Sequence, residues 1–116
     1  MHFVYFHAGI GHAIVERLAE EGATVAIFDI NREAGEEVVA KLTANDLKVS
    51  YHKVDVSDKD QCMQAAAIVA ESNSNELHYL VNCAAYFVLK GLTSTREDWD
   101  KSLSVNVVGY ANMVQV

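Results

Sequence analysis

The reading turns on Ala8-Gly9-Ile10-Gly11-His12-Ala13-Ile14 and, ten residues on, Thr24-Val25-Ala26-Ile27-Phe28-Asp29. The two glycines lie between a short apolar run, residues 3–6, and a segment with helical spacing. In that segment Ile10, Ala13, Ile14, Leu18 and Ala19 share one face, with Glu16, Arg17, Glu20 and Glu21 opposite. Gly22 sits where a helix C-terminal glycine belongs. Residues 24–28 are continuously apolar and partly β-branched, which suits a strand buried on both faces, as in parallel sheets. Glycines between a strand and a helix let the backbone approach a pyrophosphate, and the helix N-terminus offers unpaired N–H groups and partial positive charge. Asp29 follows Gly11 by eighteen residues. An acid there hydrogen-bonds a ribose 2′-hydroxyl and repels a 2′-phosphate, so it favours NAD over NADP. The same residues also read as a tight turn with an exposed acid at a strand end.

Outward from this stretch the pattern repeats. Asn31 can cap a helix carrying Ala34, Val38, Val39 and Leu42, with Glu33 in its first turn. Residues 47–56 contain a third strand. Ser57-x-x-Asp60 resembles a capping box and starts a helix through Met63, Ala66, Ala67 and Ala70. Residues 77–81 form a fourth strand that ends at Asn82. Ser94-x-x-Glu97 opens a last helix of about 20 residues, with Trp99, Leu103, Val107 and Tyr110 near helical spacing. Strands alternating with helices imply right-handed βαβ crossovers. The fold class is α/β, a Rossmann-like doubly wound parallel sheet of about four strands with flanking helices. No repeat, linker or charge block divides the chain, so residues 1–116 read as one unit.

Composition narrows the function. The 116 residues are 51% hydrophobic and 22% charged, which is ordinary for a globular domain and argues against disorder. A net charge of −7 with no basic stripe argues against nucleic-acid binding. The apolar N-terminus is too short for a signal peptide, and no run reaches the roughly 18 to 20 residues of a membrane helix. These features point to a cytoplasmic protein with no membrane partner. Cys62 and Cys83 lack metal-ligand spacing and read as buried free thiols. The histidines at 2, 7, 12, 52 and 78 are scattered. His12 reads as an exposed first-turn residue or a phosphate contact. No Gly-x-Ser-x-Gly elbow supports a hydrolase. Asn106 reads as a buried amide bonded to backbone.

Taken together these motifs resemble the short-chain dehydrogenase/reductase family over nearly the whole chain. Residues 8–14 resemble its glycine motif, and Val25-Ala-Ile-Phe-Asp29 its second strand with the NAD-selecting acid. Asp55-Val56 resembles the pair that contacts adenine. Asn82-Cys83-Ala84-Ala85 is similar to the family's Asn-Asn-Ala-Gly, and Ser104-Val105-Asn106-Val107 matches the helix whose Asn serves a water relay to the catalytic Lys. The resemblance implies a nicotinamide cofactor, NAD, held by Gly9, Ile10, Gly11, Asp29, Asp55, Val56, Asn82 and Ala84. It implies hydride transfer to or from an alcohol or carbonyl, with Asn106 in the catalytic relay.

Two departures qualify it. Against the pattern Thr-Gly-x-x-x-Gly-x-Gly, Val4 stands at the Thr position and Tyr5 at the first Gly, which weakens cofactor binding because only Gly enters positive-φ turns cheaply. The family's catalytic Ser and Tyr-x-x-x-Lys fall outside these 116 residues. Tyr86 and Lys90 have that spacing but sit in a loop. The chain thus reads as a partial dinucleotide-binding domain without its catalytic half, with little dehydrogenase activity alone. The alternatives are an interaction protein that pairs a full-length relative through an exposed fourth strand and last helix, and a cofactor-binding module without chemistry. Homo- or hetero-oligomers through the last helix follow from the resemblance.

Overall fold

The structure, a computed structural model, describes the backbone of residues 2–5 and residues 9–116 in full. Four strands form one sheet: β1 (His2–Tyr5), β2 (Val25–Asp29), β3 (Val49–Lys53) and β4 (Tyr79–Val81). Their order is β3-β2-β1-β4 and every pair is parallel. The helices are α1 (Ile10–Glu20), α2 (Arg32–Thr43), α3 (Lys59–Glu71), α4 (Arg96–Leu103) and α5 (Tyr110–Gln115). A π-helical stretch (Ser104–Gly109) joins α4 to α5 without a break.

The alternation of β2 builds both layers of the core. Val25 and Ile27 face Val15 and Ala19 of α1 and Val38 and Leu42 of α2. Ala26 and Phe28 face Cys62, Ala65 and Val69 of α3 and Met113 of α5. Every residue of β2 is buried, which is what its uninterrupted apolar run demands of a central parallel strand.

The helix ends follow local chemistry. At Gly22 (φ 87°) the Gly22 N–H donates to the Ala19 carbonyl and the Ala23 N–H to the Leu18 carbonyl, a Schellman closure that needs a left-handed residue. Asn31 caps α2 by accepting the Ala34 N–H at 3.1 Å. Two caps differ from expectation. Asp58, not Ser57, caps α3, accepting the Asp60 and Gln61 N–H groups at 3.0 and 3.1 Å. Thr95, not Ser94, caps α4 in a full capping box with Asp98. Lys90 grips both Asp98 oxygens, at 2.8 and 2.9 Å, and selects that register.

Strand bounds also differ. β3 lies within residues 47–56 as expected, while β4 is shorter than residues 77–81: Leu77 packs against the core before pairing begins at Tyr79. Tyr5 does not turn the chain: it closes β1 in register with Phe28. Phe6, His7 and Ala8 lie outside the described residues. The largest shift concerns Tyr110. Trp99, Leu103 and Val107 stay on an exposed helix face, while Tyr110 packs against the core. The widened π turn rotates everything after it. Gly109 then passes so close to the sheet that a Cβ there would stand 2.6 Å from Val56 Cγ2.

Candidate cofactor site

All four strands run the same way, so their C-terminal ends share one edge of the sheet. Strand order reverses between β1 and β4, and in open α/β sheets the crevice at such a reversal takes the ligand. The residues singled out in the sequence follow those strand ends: Gly9 as N-cap of α1 with Ile10 and Gly11 in its first turn, Asp29 at the end of β2, Asp55 and Val56 after β3, Asn82 and Ala84 after β4.

Gly9 is the N-cap of α1 with φ 113° and ψ −108°, a backbone closed to other residues at low cost, and a Cβ there would meet nothing within 4 Å. The first backbone bond of α1 runs from the Ala13 N–H to the Gly9 carbonyl, so the earlier amides point out of the helix end. Gly9 offers no side chain to cap them, and no acid occupies the first turn. The glycine turn and helix end therefore fit a phosphate-bearing group. His12, in that turn, is half-buried rather than exposed.

Asp29 is 5% exposed, and its Oδ1 accepts the Asn31 N–H at 2.7 Å. Its carbonyl accepts the Tyr51 hydroxyl at 2.8 Å and the Val54 N–H at 3.1 Å, which locks β2 to β3 at the site. Burial, then the Asp29 charge, pushes the Tyr51 phenol above its ordinary range, so it remains a donor. Asp55 Oδ1 accepts both the Ser57 N–H and hydroxyl, at 2.9 and 2.6 Å, while the Asp55 N–H donates to Gln61 Oε1. The Val56 side chain is core and its carbonyl accepts from Asn112 Nδ2 at 2.9 Å, so only its remaining backbone edge is suited to a ligand. Ala84 is buried, and Asn82 lines a groove of about 480 Å³ along the outer side of β4.

Asn106 clamps the loop after β4. Its Oδ1 accepts the Tyr86 N–H at 2.8 Å, and its Nδ2 donates to the Tyr86 carbonyl at 3.0 Å and Ser102 Oγ at 3.1 Å. Tyr86 and Lys90 are not a working pair: Lys90 is held by Asp98, and the Lys101 ammonium lies 4.5 Å over the Tyr86 ring. Cys62 is fully buried and burial, ahead of the charges of Asp58 and Asp55, pushes its thiol up to about 11. Cys83 is a free thiol too, but only half-buried, against expectation. Gln61, Tyr51 and Asn112, which brace the site, carry no motif in the sequence. No cluster of metal-ligating side chains occurs among the described residues, and no described helix is long and apolar enough to cross a membrane.

A parallel 3-2-1-4 sheet with a glycine turn at the start of α1 and an acid closing β2 is a Rossmann-like α/β arrangement. The short chain dehydrogenase family matches residues 6–116, and the chain belongs to that oxidoreductase family. Human 3-hydroxyacyl-CoA dehydrogenase type-2 is 32% identical over 94% of this chain and 43% of its own length. A doubly substituted Serratia marcescens short-chain dehydrogenase/reductase is 35% identical, with a TM-score of 0.86 over 98% of this chain and 47% of that one. Actinorhodin polyketide ketoreductase, crystallised with NADPH, shares the fold with a TM-score of 0.89 at 22% identity, over 98% of this chain and 44% of its own. The chain thus spans less than half the length of these relatives.

Proposed function

We propose that these residues are the cofactor-binding portion of an NAD-dependent dehydrogenase acting on an alcohol or carbonyl. One observation carries the reading. The glycine turn at Gly9, Ile10 and Gly11 and the acid Asp29 stand at neighbouring strand ends, on the edge where the sheet order reverses. In this reading the amides at Gly11 and its neighbours hold the pyrophosphate, and Asp29 accepts from the adenosine ribose. Asp55 and the Val56 backbone meet the adenine, while Asn82 and Ala84 border the nicotinamide end. Asn106 positions the loop that roofs the crevice. The bound cofactor supplies hydride chemistry. The protein's part is to orient it and to exclude a 2′-phosphate through the Asp29 charge. A cytoplasmic setting agrees with the free thiols of Cys62 and Cys83.

Titration calorimetry with NADH and NADPH tests this. NADH is expected to bind at least tenfold tighter, and Asp29→Asn to bring the two within about threefold. No heat from either at millimolar concentration would overturn the reading. These 116 residues alone are expected to give little or no alcohol-dependent NADH formation, since they hold no counterpart of the family's catalytic Ser and Tyr-x-x-x-Lys and Lys90 is committed to Asp98. Measured turnover would overturn that.

A second reading is favoured by β4, whose outer edge has no partner strand among the described residues and borders the groove lined by Leu77, Leu80, Met113 and Val114. There the chain joins a full-length relative. Co-expression with one should then give a single stoichiometric complex on size exclusion, and separate elution would reject it.

A further inference from the structure

The loop after β4 and the N-terminal half of α4 border a second, half-open cleft of about 310 Å³, whose lining includes the largely exposed Phe87 and Trp99. Tyr86, Phe87 and Val88 form one wall and Trp99 the other. Its volume is at the lower end of small-molecule sites. The loop springs from the C-terminal end of β4, the strand that flanks the crevice on one side.

The polar groups around this cavity are already committed. Ser94 Oγ donates to the Gly91 carbonyl at 2.9 Å. Ser102 Oγ donates to the Tyr86 carbonyl and accepts from Asn106. Both donor hydrogens of the Asn106 amide have partners, and its Oδ1 holds the Tyr86 N–H. Asp98 accepts two bonds from Thr95 and two from Lys90. A polyol would have to break these bonds to be satisfied, at a cost for each polar group left unmatched. An anion would find the Asp98 carboxylate already closed onto Lys90 and Thr95, in a chain of net charge −7. An uncharged apolar ring meets neither obstacle and finds Phe87, Trp99 and the side of Tyr86 that Lys101 does not cover, whose faces and edges pack well against flat groups.

We propose that this cavity takes a neutral, compact ring, alicyclic or aromatic. It would make the dehydrogenase substrate an uncharged cyclic alcohol or ketone, not a polyol or an anionic thioester. That substrate assignment rests on the function proposed above; the binding itself does not.

Trp99 is the sole tryptophan of the chain and lines the cavity, so its emission reports occupancy directly. Cyclohexanol, sorbitol and cyclohexanecarboxylate are titrated against the 116-residue chain. Cyclohexanol is expected to give a saturable blue shift, with sorbitol and the carboxylate at least tenfold weaker. Val88→Phe fills the space and should weaken cyclohexanol at least tenfold with an unchanged circular dichroism spectrum. A non-saturating response to cyclohexanol, equal response to sorbitol, or full affinity in a folded Val88→Phe chain would each overturn the proposal. If that variant does not fold, the three-ligand comparison on the unaltered chain decides. NADH heat without cyclohexanol binding rejects the cavity alone; cyclohexanol binding without NADH heat rejects the cofactor reading alone.

Discussion

Replacing Asn106 with Ala removes two hydrogen bonds that tie the helix to Tyr86 in the loop after β4, and a third to Ser102 within the helix. The consequences for the two ends of Tyr86 differ. Its carbonyl keeps the Ser102 hydroxyl at 3.4 Å, while its N–H keeps no side-chain partner in place of Asn106. A net hydrogen bond contributes about 1 kcal/mol, and an orphaned donor costs about 1–3 kcal/mol more when water cannot replace the partner. The site is half-buried, so water recovers part of this. We expect a loss of about 2 kcal/mol in local stability, which corresponds to roughly 30-fold faster exchange of the Tyr86 amide. Native-state hydrogen exchange measures it. Asn106→Asp keeps an acceptor for the Tyr86 N–H but loses both donors. Its Tyr86 amide should stay better protected than in the Ala variant, while its urea midpoint still falls. Equal Tyr86 protection in the Ala variant and the unaltered chain would refute the clamp.

Gly109→Ala places a methyl against Val56 Cγ2, and the overpacking cost of about 1–3 kcal/mol outweighs the helix-propensity gain of about 1 kcal/mol. Urea unfolding should show a net loss of about 1 kcal/mol, relieved in the double variant with Val56→Ala, so that the two losses add to less than their sum. Iodoacetamide at pH 8 should label Cys83 at least tenfold faster than Cys62, whose thiol is buried and raised to about 11; mass spectrometry of the two peptides reads the ratio. Asp98 is lowered to about 2 by the Lys90 bond first and Thr95 second. Its contribution is therefore present above the ordinary carboxyl value of about 4 and is lost as pH falls through 2. Lys90 is raised, so its share holds below about 10.4 and is lost at higher pH. Asp98→Asn should flatten the fall in Tm between pH 4 and 2; an unchanged acid limb would count against the pair.

What the chain makes legible follows from how local each signal is. β2 can be read outright because a strand buried on both faces tolerates only apolar residues. Gly22 and Asn31 are readable because a left-handed turn and an N-cap each restrict one residue type. Ser94-x-x-Glu97 and Thr95-x-x-Asp98 are two capping signals one residue apart, and only the Lys90 contact, made across the loop, chooses between them. Tyr110 escapes the helical pattern because a period of 3.6 presumes no π turn, and Asn106 and Gly109 enter that turn through contacts with Tyr86 and Val56 far away in sequence. The strand-end positions of Asp29 and Asp55 are legible from the same pattern. Their bracing by Tyr51 and Gln61 is not, since those side chains reach over from other segments.

The sheet order also bears on how the molecule assembles. β2 and β3 pair residues 24 apart in sequence, Val25 with Val49, whereas β1 and β4 pair residues 77 apart, His2 with Tyr79. Closing the longer loop costs about 1 kcal/mol more chain entropy, and β4 returns only three paired residues for it. Folding should therefore begin around α2 and its two flanking strands and finish at the seam between β1 and β4. That seam is the wall of the crevice. A ligand bridging it would reinforce the last joint to form and the first to open, and so slow unfolding more than it speeds folding.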